Sequence, residues 1–253
     1  MKLNLENKNV LITGSSKGIG LEIAKSFCDM GSKVFINSRN ISNLNEAKKY
    51  IADNNVKAIK GDLTQPKQVV KLFNFINKHC NNLDILVCNI GNSTPKNVIG
   101  EENYHNWIES LNTNLLSTTN TIYYFRKLLK KSISPSIVCI SSICGVSSLG
   151  APVDYSVSKA AIISFVKNQA RILSADKIRI NVISPGNILF EGSVWDKKLK
   201  KNKLQVKKYI KKSVPLNKFG SKKNVSDMVL FLSSDVSSFT TGANIILDGG
   251  QTA

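Results

Sequence analysis

Two hydrophobic periods alternate along the chain, and their alternation predicts the fold. Short runs of consecutive apolar residues, the pattern of strands buried on both faces, fall at 9–13, 33–37, 56–59, 83–88, 136–140, 178–183 and 244–247. Between them, apolar positions three and four apart predict helices. One runs through Ile19, Ile23, Ala24 and Phe27 to a stop at Gly31, and others are expected near 42–54, 66–79, 103–131, 153–175 and 224–233. Strands apolar on both faces and separated by helices imply a parallel sheet covered on both sides. Right-handed crossovers then predict one α/β domain over 1–253, a doubly wound Rossmann fold with a seven-stranded parallel sheet. One segment departs from the pattern. Residues 190–213 are crowded with lysine yet keep apolar positions at Val194, Trp195, Leu199, Leu204, Val206, Tyr209 and Ile210, which predicts one or two amphipathic helices after the sixth strand. A basic substrate lid is expected there, because ligands of such folds sit at the carboxyl ends of strands.

Composition narrows the picture. The 253 residues are 42% hydrophobic and 21% charged, which suits a folded domain with a sizeable core and excludes disorder and disulfide scaffolds. No apolar run approaches the roughly 18–20 residues of a membrane span. Residues 1–8 are too polar for the apolar core of a signal peptide, so a cytoplasmic protein is expected, with no membrane partner. The five cysteines, Cys28, Cys80, Cys88, Cys139 and Cys144, form no CxxC pair and fit free thiols in a reducing compartment. The two histidines, His79 and His105, lack metal-ligand spacing and lie in no relay motif, so neither a metal nor a histidine base is expected. A net charge of +18 would favour anionic partners. The excess is nearly all Lys beside abundant Asn, however, and the A-rich codons these share explain much of it without nucleic-acid binding.

The residues 13–20, Thr-Gly-Ser-Ser-Lys-Gly-Ile-Gly, join the first strand to the first helix. In this context Gly14 takes a tight turn, Gly18 lets the backbone approach a pyrophosphate, and Gly20 lets helix pack on strand. The helix amino end, with Ser16, Lys17 and Ile19, offers unpaired N–H groups to the phosphates. The second strand ends in Asn37, Ser38, Arg39 and Asn40, without the acid that holds a ribose 2′-hydroxyl in NAD sites. Arg39 is suited to a 2′-phosphate, with Lys17 as a second cation, so NADP(H) is favoured over NAD(H).

Tyr155 and Lys159 stand four residues apart, on one face of a predicted helix. A phenol with a pKa near 10 is a poor base at neutral pH. A neighbouring cation favours the phenolate, as would an oxidised nicotinamide ring, and Tyr155 could then exchange a proton with a substrate oxygen. Ser142, just past the fifth strand, could hydrogen-bond that oxygen.

Taken together, these motifs resemble those of the short-chain dehydrogenase/reductase family, over essentially the whole chain. The glycine turn is similar to the family's TGxxxGIG, and Ser142, Tyr155 and Lys159 to its serine and YxxxK positions. The resemblance implies further roles. Asp62 and Leu63 would contact adenine, Asn89 and Gly91 would lie along the cofactor, and Asn114 would help hold a proton-relay water near Lys159. Pro185, Gly186 and Ile188 would hold the carboxamide, Lys159 would also hold the ribose, and Asp248-Gly249-Gly250 resembles the family's C-terminal signature. Two positions depart. Cys88 replaces the first Asn of NNAG, and Phe190 stands where many members have a threonine.

The function this implies is NADP(H)-dependent interconversion of a carbonyl and a secondary alcohol, with Tyr155 as acid/base. The general resemblance is to 3-oxoacyl-(acyl carrier protein) reductases, so the substrate would be a small or acyl-carrier-bound carbonyl. The alternative is a dehydrogenase or reductase of a sugar or other small polar alcohol, for which Glu191 and Trp195 supply suitable groups. A non-catalytic NADP(H) sensor or nucleic-acid-binding module is the remaining reading, and the Ser142, Tyr155 and Lys159 set argues against it. The resemblance also implies a homotetramer or homodimer, packed through helices 103–131 and 153–175 and the region 246–250.

Overall fold

The computed structural model describes residues 2–93 and 99–253. Seven parallel strands form one sheet in the order β3-β2-β1-β4-β5-β6-β7. They are β1 (Asn9–Ile12), β2 (Lys33–Ser38), β3 (Val56–Lys60), β4 (Ile85–Cys88), β5 (Ser136–Ile140), β6 (Arg179–Pro185) and β7 (Asn244–Leu247). The helices are α1 (Gly18–Asp29), α2 (Ile41–Ile51), α3 (Pro66–His79), α4 (Tyr104–Ser110), α5 (Ser117–Leu129), α6 (Val153–Leu173), α7 (Val194–Lys201), α8 (Lys203–Ser213) and α9 (Lys222–Ser233). The expected doubly wound α/β fold is the one observed.

Alternation along each strand divides the core into two layers. Val10 and Ile12 face α1, α2 and α9, packing with Phe27, Leu44 and Val229. Leu11 and Leu86 face the other way, onto Leu72, Phe125 and Val166 of α3, α5 and α6. Strand order reverses between β1 and β4, which opens a crevice at their carboxyl ends. Gly31 ends α1 as expected. At φ +77° it lets Ser32 N–H reach the Phe27 carbonyl at 3.0 Å and its own N–H reach Cys28 at 2.8 Å.

Two differences from the sequence expectation have a polar reason. β4 begins at Ile85 rather than 83. The Asp84 carboxylate instead accepts hydrogen bonds from Asn9 N–H (2.8 Å), Asn82 Nδ2 (2.8 Å) and Ser132 Oγ (2.6 Å). The single helix expected over 103–131 is split by a π-helical turn at Leu111–Leu116. There Asn114 Nδ2 donates to the Ser110 carbonyl at 3.0 Å, an acceptor that a regular α-turn reserves for the Asn114 backbone N–H. Ser117, Thr118 and Thr121 hydroxyls then bond carbonyls four residues back, adding to the distortion.

Residues 190–213 form the two expected short helices. Val206 and Ile210 turn inward, and Trp195 stacks on Tyr209 with ring centroids 5.1 Å apart.

At the opposite end of the sheet, the buried Arg179 guanidinium ties β6 to the end of α9. It donates to the carbonyls of Leu232 (2.8 Å) and Ser234 (3.1 Å) and to Ser237 Oγ (3.1 Å). Arg179→Leu would strand those acceptors, and we expect it to lower the unfolding free energy by about 2–3 kcal/mol in urea titration. A change within experimental error would show that water replaces these bonds without cost.

Candidate active site

The carboxyl ends of β1, β4, β5 and β6 supply the site, each through the loop that follows. After β1, Gly14 and Gly18 both take φ +60°, so the turn folds back under the start of α1. A Cβ on Gly20 would stand 2.6 Å from the Gly14 carbonyl and 2.9 Å from Ser15 Cα, so the helix can close on the turn only through glycine. Asn89, after β4, braces the same turn. Its Nδ2 donates to the carbonyls of Thr13 (3.2 Å) and Gly14 (3.0 Å), and its N–H donates to Thr13 Oγ1 at 3.0 Å. The neighbouring Cys88 is buried beneath the sheet opposite Cys139 and offers nothing to the crevice.

The turn fits a dinucleotide phosphate group. Lys17 occupies the N-cap of α1 without a side-chain cap, leaving the first amides available to an anion. Ser16 Oγ bonds Ser38 Oγ at 2.9 Å, bringing the glycine turn to the end of β2. Lys17 and Arg39 are exposed, and among the described residues neither is in an ion pair. Arg39 and Thr64 line a recess of about 230 Å³ whose other wall is His105, Ile108, Glu109, Asn112 and Thr113. Asp62, beside it, accepts from Thr64 N–H (3.1 Å) and Thr64 Oγ1 (2.8 Å), while the Leu63 side chain is buried in the core. The residues from α4 and the π turn were not legible as candidates, because only the fold brings them opposite β2.

Lys159 is 3% exposed and its Nζ donates to the Ile140 carbonyl at 3.0 Å. Gly91 leaves it room, since a Cβ there would lie 2.5 Å from Lys159 Nζ and 3.0 Å from Asn114 Oδ1. Asn114 is wholly buried, and its side chain is committed. Nδ2 donates to the carbonyls of Asn92 and Ser110, both at 3.0 Å, and Oδ1 accepts from Asn92 N–H at 3.0 Å. The Asn114 side chain therefore braces the loop after β4 against the π turn.

Tyr155 is half-buried, one turn before Lys159, whose Nζ lies 5.8 Å from the ring centroid. Ser142 begins the short turn after β5, its hydroxyl accepting from Cys144 N–H at 3.2 Å. Burial pushes the Tyr155 phenol up to about 12, against a smaller downward pull from the Ser142 hydroxyl. Burial also lowers the Lys159 ammonium to about 8. Loss of hydration dominates at both groups, so the phenol is held in its neutral form.

After β6, a Cβ on Gly186 would stand 2.7 Å from Asp248 Cβ. Asp248 in turn accepts from Gly250 N–H and Thr252 N–H, both at 2.8 Å, so the C-terminal signature serves to seat the Pro185-Gly186 turn. Ile188 is buried beside Gly220, which bonds the backbone of Asn187 and Leu189 on either side of it. The loops that follow β1, β4, β5 and β6 thus lie at one edge of the sheet, with Asn89 joining the glycine turn to β4 and Gly91 facing Lys159. No helix among the described residues is long and apolar enough to cross a membrane, and no cluster of His, Cys, Asp or Glu there could hold a metal.

Several known proteins are similar to this chain over its whole length. The family model described as enoyl-(acyl carrier protein) reductase matches residues 14–252. The 3-oxoacyl-(acyl carrier protein) reductase of Chlamydia pneumoniae is 32% identical over 261 residues, covering 100% of both chains. The crystal structure of a short-chain type dehydrogenase/reductase from Mycobacterium marinum is similar at a TM-score of 0.88 and 27% identity, over 100% of this chain and 98% of that one. L-sorbose reductase from Gluconobacter frateurii, solved with NADPH and L-sorbose, gives a TM-score of 0.93 at 27% identity, over 100% and 99%.

Gly91→Ala is the sharpest test of this packing. The added methyl must displace Lys159 Nζ, the free end of a side chain, rather than backbone. We expect turnover to fall by about tenfold or more, with the melting temperature moving by only ~2–4 °C. Equal turnover would show that Lys159 tolerates displacement.

Proposed function

The chain belongs to the short-chain dehydrogenase/reductase family and is an NAD(P)H-dependent oxidoreductase, and on that premise we propose that it reduces a 3-oxoacyl thioester with NADPH. The observation that carries the reading is the convergence of Ser142, Tyr155 and Lys159 on the crevice beside the glycine turn. The bound dinucleotide would supply the hydride. The protein's own residues do the rest. Ser142 holds and polarises the substrate oxygen, Tyr155 donates the proton to it, and Lys159, anchored on the Ile140 carbonyl, keeps a positive charge beneath the phenol. Gly14, Ser16, Lys17, Gly18, Ile19 and Gly20 hold the diphosphate. NADP(H) is preferred over NAD(H) because Arg39, Lys17 and the Ser16–Ser38 pair form a cationic, hydroxyl-rich end to β2, whose own residues 37–40 include no carboxylate.

A high Tyr155 pKa suits this direction, since a proton donor must arrive protonated. Residues 190–213 are read as the substrate lid, and their lysines suit an acidic acyl carrier. Association into dimers or tetramers is supported by Tyr104, Ile108, Tyr123, Val157 and Ile172, apolar and exposed on α4, α5 and α6. Free thiols throughout favour a reducing compartment, the cytoplasm. The second reading, a sugar reductase, draws support from the likeness to L-sorbose reductase. Against it, Trp195 is engaged by Tyr209 and Phe219, with Lys198 Nζ 4.6 Å over its ring, so it is not free as a sugar platform.

The deciding experiment follows nicotinamide oxidation at 340 nm with acetoacetyl thioesters and with keto-sugars. Thioester turnover should prefer NADPH, lose that preference in Arg39→Ser, and fall by roughly 10²–10⁴-fold in Tyr155→Phe. Turnover on sugars alone would move the assignment to the second reading.

The pH dependence has a definite sign. Reduction needs the Tyr155–Lys159 pair fully protonated, and oxidation needs it one proton short. The first proton leaves near pH 8, the Lys159 value. Reduction kcat/KM should stay level from pH 6 to about 8 and then decline. Oxidation kcat/KM should climb by up to about tenfold per pH unit over the lower range and level off above it. Identical profiles in both directions would sink this acid/base assignment.

A further inference from the structure

The Phe190 ring lies on the glycine turn. A Cβ placed on Gly18 would stand 3.1 Å from Phe190 Cε2 and 3.2 Å from Cζ, so the ring is in van der Waals contact with the first residue of α1. That residue opens the uncapped amides of the helix, where a diphosphate would approach. A phenyl ring carries no donor for a phosphate oxygen. Ring and phosphates therefore compete for the same face of the turn.

The chain around Phe190 shows how the ring would leave. On its N-terminal side the backbone is fixed: Leu189 N–H donates to the Gly220 carbonyl at 2.9 Å, and Ile188 bridges to Gly220. From Phe190 onward the polar contacts belong to the next helix. Phe190 N–H donates to Ser193 Oγ at 3.3 Å, Ser193 N–H returns to the Phe190 carbonyl at 3.0 Å, and Ser193 Oγ caps α7 through Asp196 N–H at 3.1 Å. Gly192, at φ +77°, has open space around it. The Phe190 backbone is thus tied to α7, with the joint between residues 189 and 190, while its ring packs on the core beside α1.

We propose that Phe190 is a cover on the dinucleotide site, whose displacement by cofactor carries α7 with it and so positions the lid. The inference rests on the assignment of the 14–20 turn to the cofactor. A cover closed about 90% of the time weakens cofactor affinity about tenfold, because only the open fraction binds. Phe190 is then a positioning residue that links cofactor binding to the state of the substrate lid.

The test measures NADPH and NADP⁺ binding by calorimetry to the full chain and to Phe190→Ala and Phe190→Leu. It also follows trypsin cleavage at the lysines of 197–212, with and without NADPH. Phe190→Ala should bind roughly three- to tenfold tighter, with Phe190→Leu between it and the unchanged protein. NADPH should alter the cleavage rate in the unchanged protein and much less in Phe190→Ala. Unchanged or weaker affinity in both variants would overturn the proposal, making the ring simple packing or a platform for the cofactor. So would cleavage indifferent to NADPH in the unchanged protein. If Phe190→Ala does not fold, Phe190→Leu carries the same comparison. Loss of binding in all three chains would instead remove the assignment of the turn itself, and the cover with it.

Discussion

An ammonium group taken out of water must be hydrogen-bonded or surrender its proton, and the site of this protein is built around the accommodation of one such group, on Lys159. Its Nζ keeps a bond to the Ile140 carbonyl, while burial draws its pKa down to about 8. Space for it comes from Gly91 at the end of β4, and its surroundings are stiffened by Asn114, which ties Asn92 to the π turn. Close docking of α6 completes the enclosure. A Cβ on Gly145 would stand 2.6 Å from both Lys159 C and Ala160 N, and Ser141 Oγ holds the Lys159 carbonyl at 2.8 Å. Ser142 belongs to the same turn as Gly145. Its hydroxyl can act on Tyr155 because the turn lies against the α6 backbone, so burial of the lysine and alignment of the serine have one cause.

This arrangement fixes the resting protonation of the site. Low polarity at the site disfavours both the phenolate of Tyr155 and the ammonium of Lys159, and the neutral phenol is the form that donates a proton. Running the chemistry backwards requires creating an anion where hydration is scarce. A positive charge on a bound oxidised ring would offset that cost, which is why base and cofactor must be neighbours for oxidation. Carbonyl reduction meets the same anion when Tyr155 gives up its proton, where the neighbouring Lys159 charge offsets it.

Much of the fold and site was legible because it depends on local constraints. Seven apolar runs, the glycines of the turn, and the four-residue spacing of Tyr155 and Lys159 each state a requirement that a few residues meet alone. What was not legible depends on competition or on tertiary apposition. The apolar spacing over 103–131 reads as one helix, yet the run of Asn, Ser and Thr through 112–121 supplies side chains that compete for backbone acceptors, and a π turn results. The recess facing Arg39 draws on His105 and Asn112, which lie far from it in sequence. Phe190 was read only as a missing hydroxyl. Its contact with Gly18 follows from how the chain leaves β6, which no spacing rule encodes.

The lysine excess has a physical consequence on α7 and α8. On α7 and α8 the lysines lie on the outer faces, with one acid, Asp196, paired to Lys200 at 2.9 Å. Like charges along two short helices repel one another, and the repulsion is screened over a length of about 8–10 Å at ordinary ionic strength. Packing opposes it: Trp195, Tyr209 and Phe219 form an aromatic cluster, and Val206 and Ile210 are buried beneath α8. The segment is therefore held by a small apolar core against its own charge. An anionic ligand at its surface would relieve the repulsion without disturbing that core. A codon bias that fills the outer face with lysine and an electrostatic role for the lid are compatible, since selection acts on the field whatever supplied the residues.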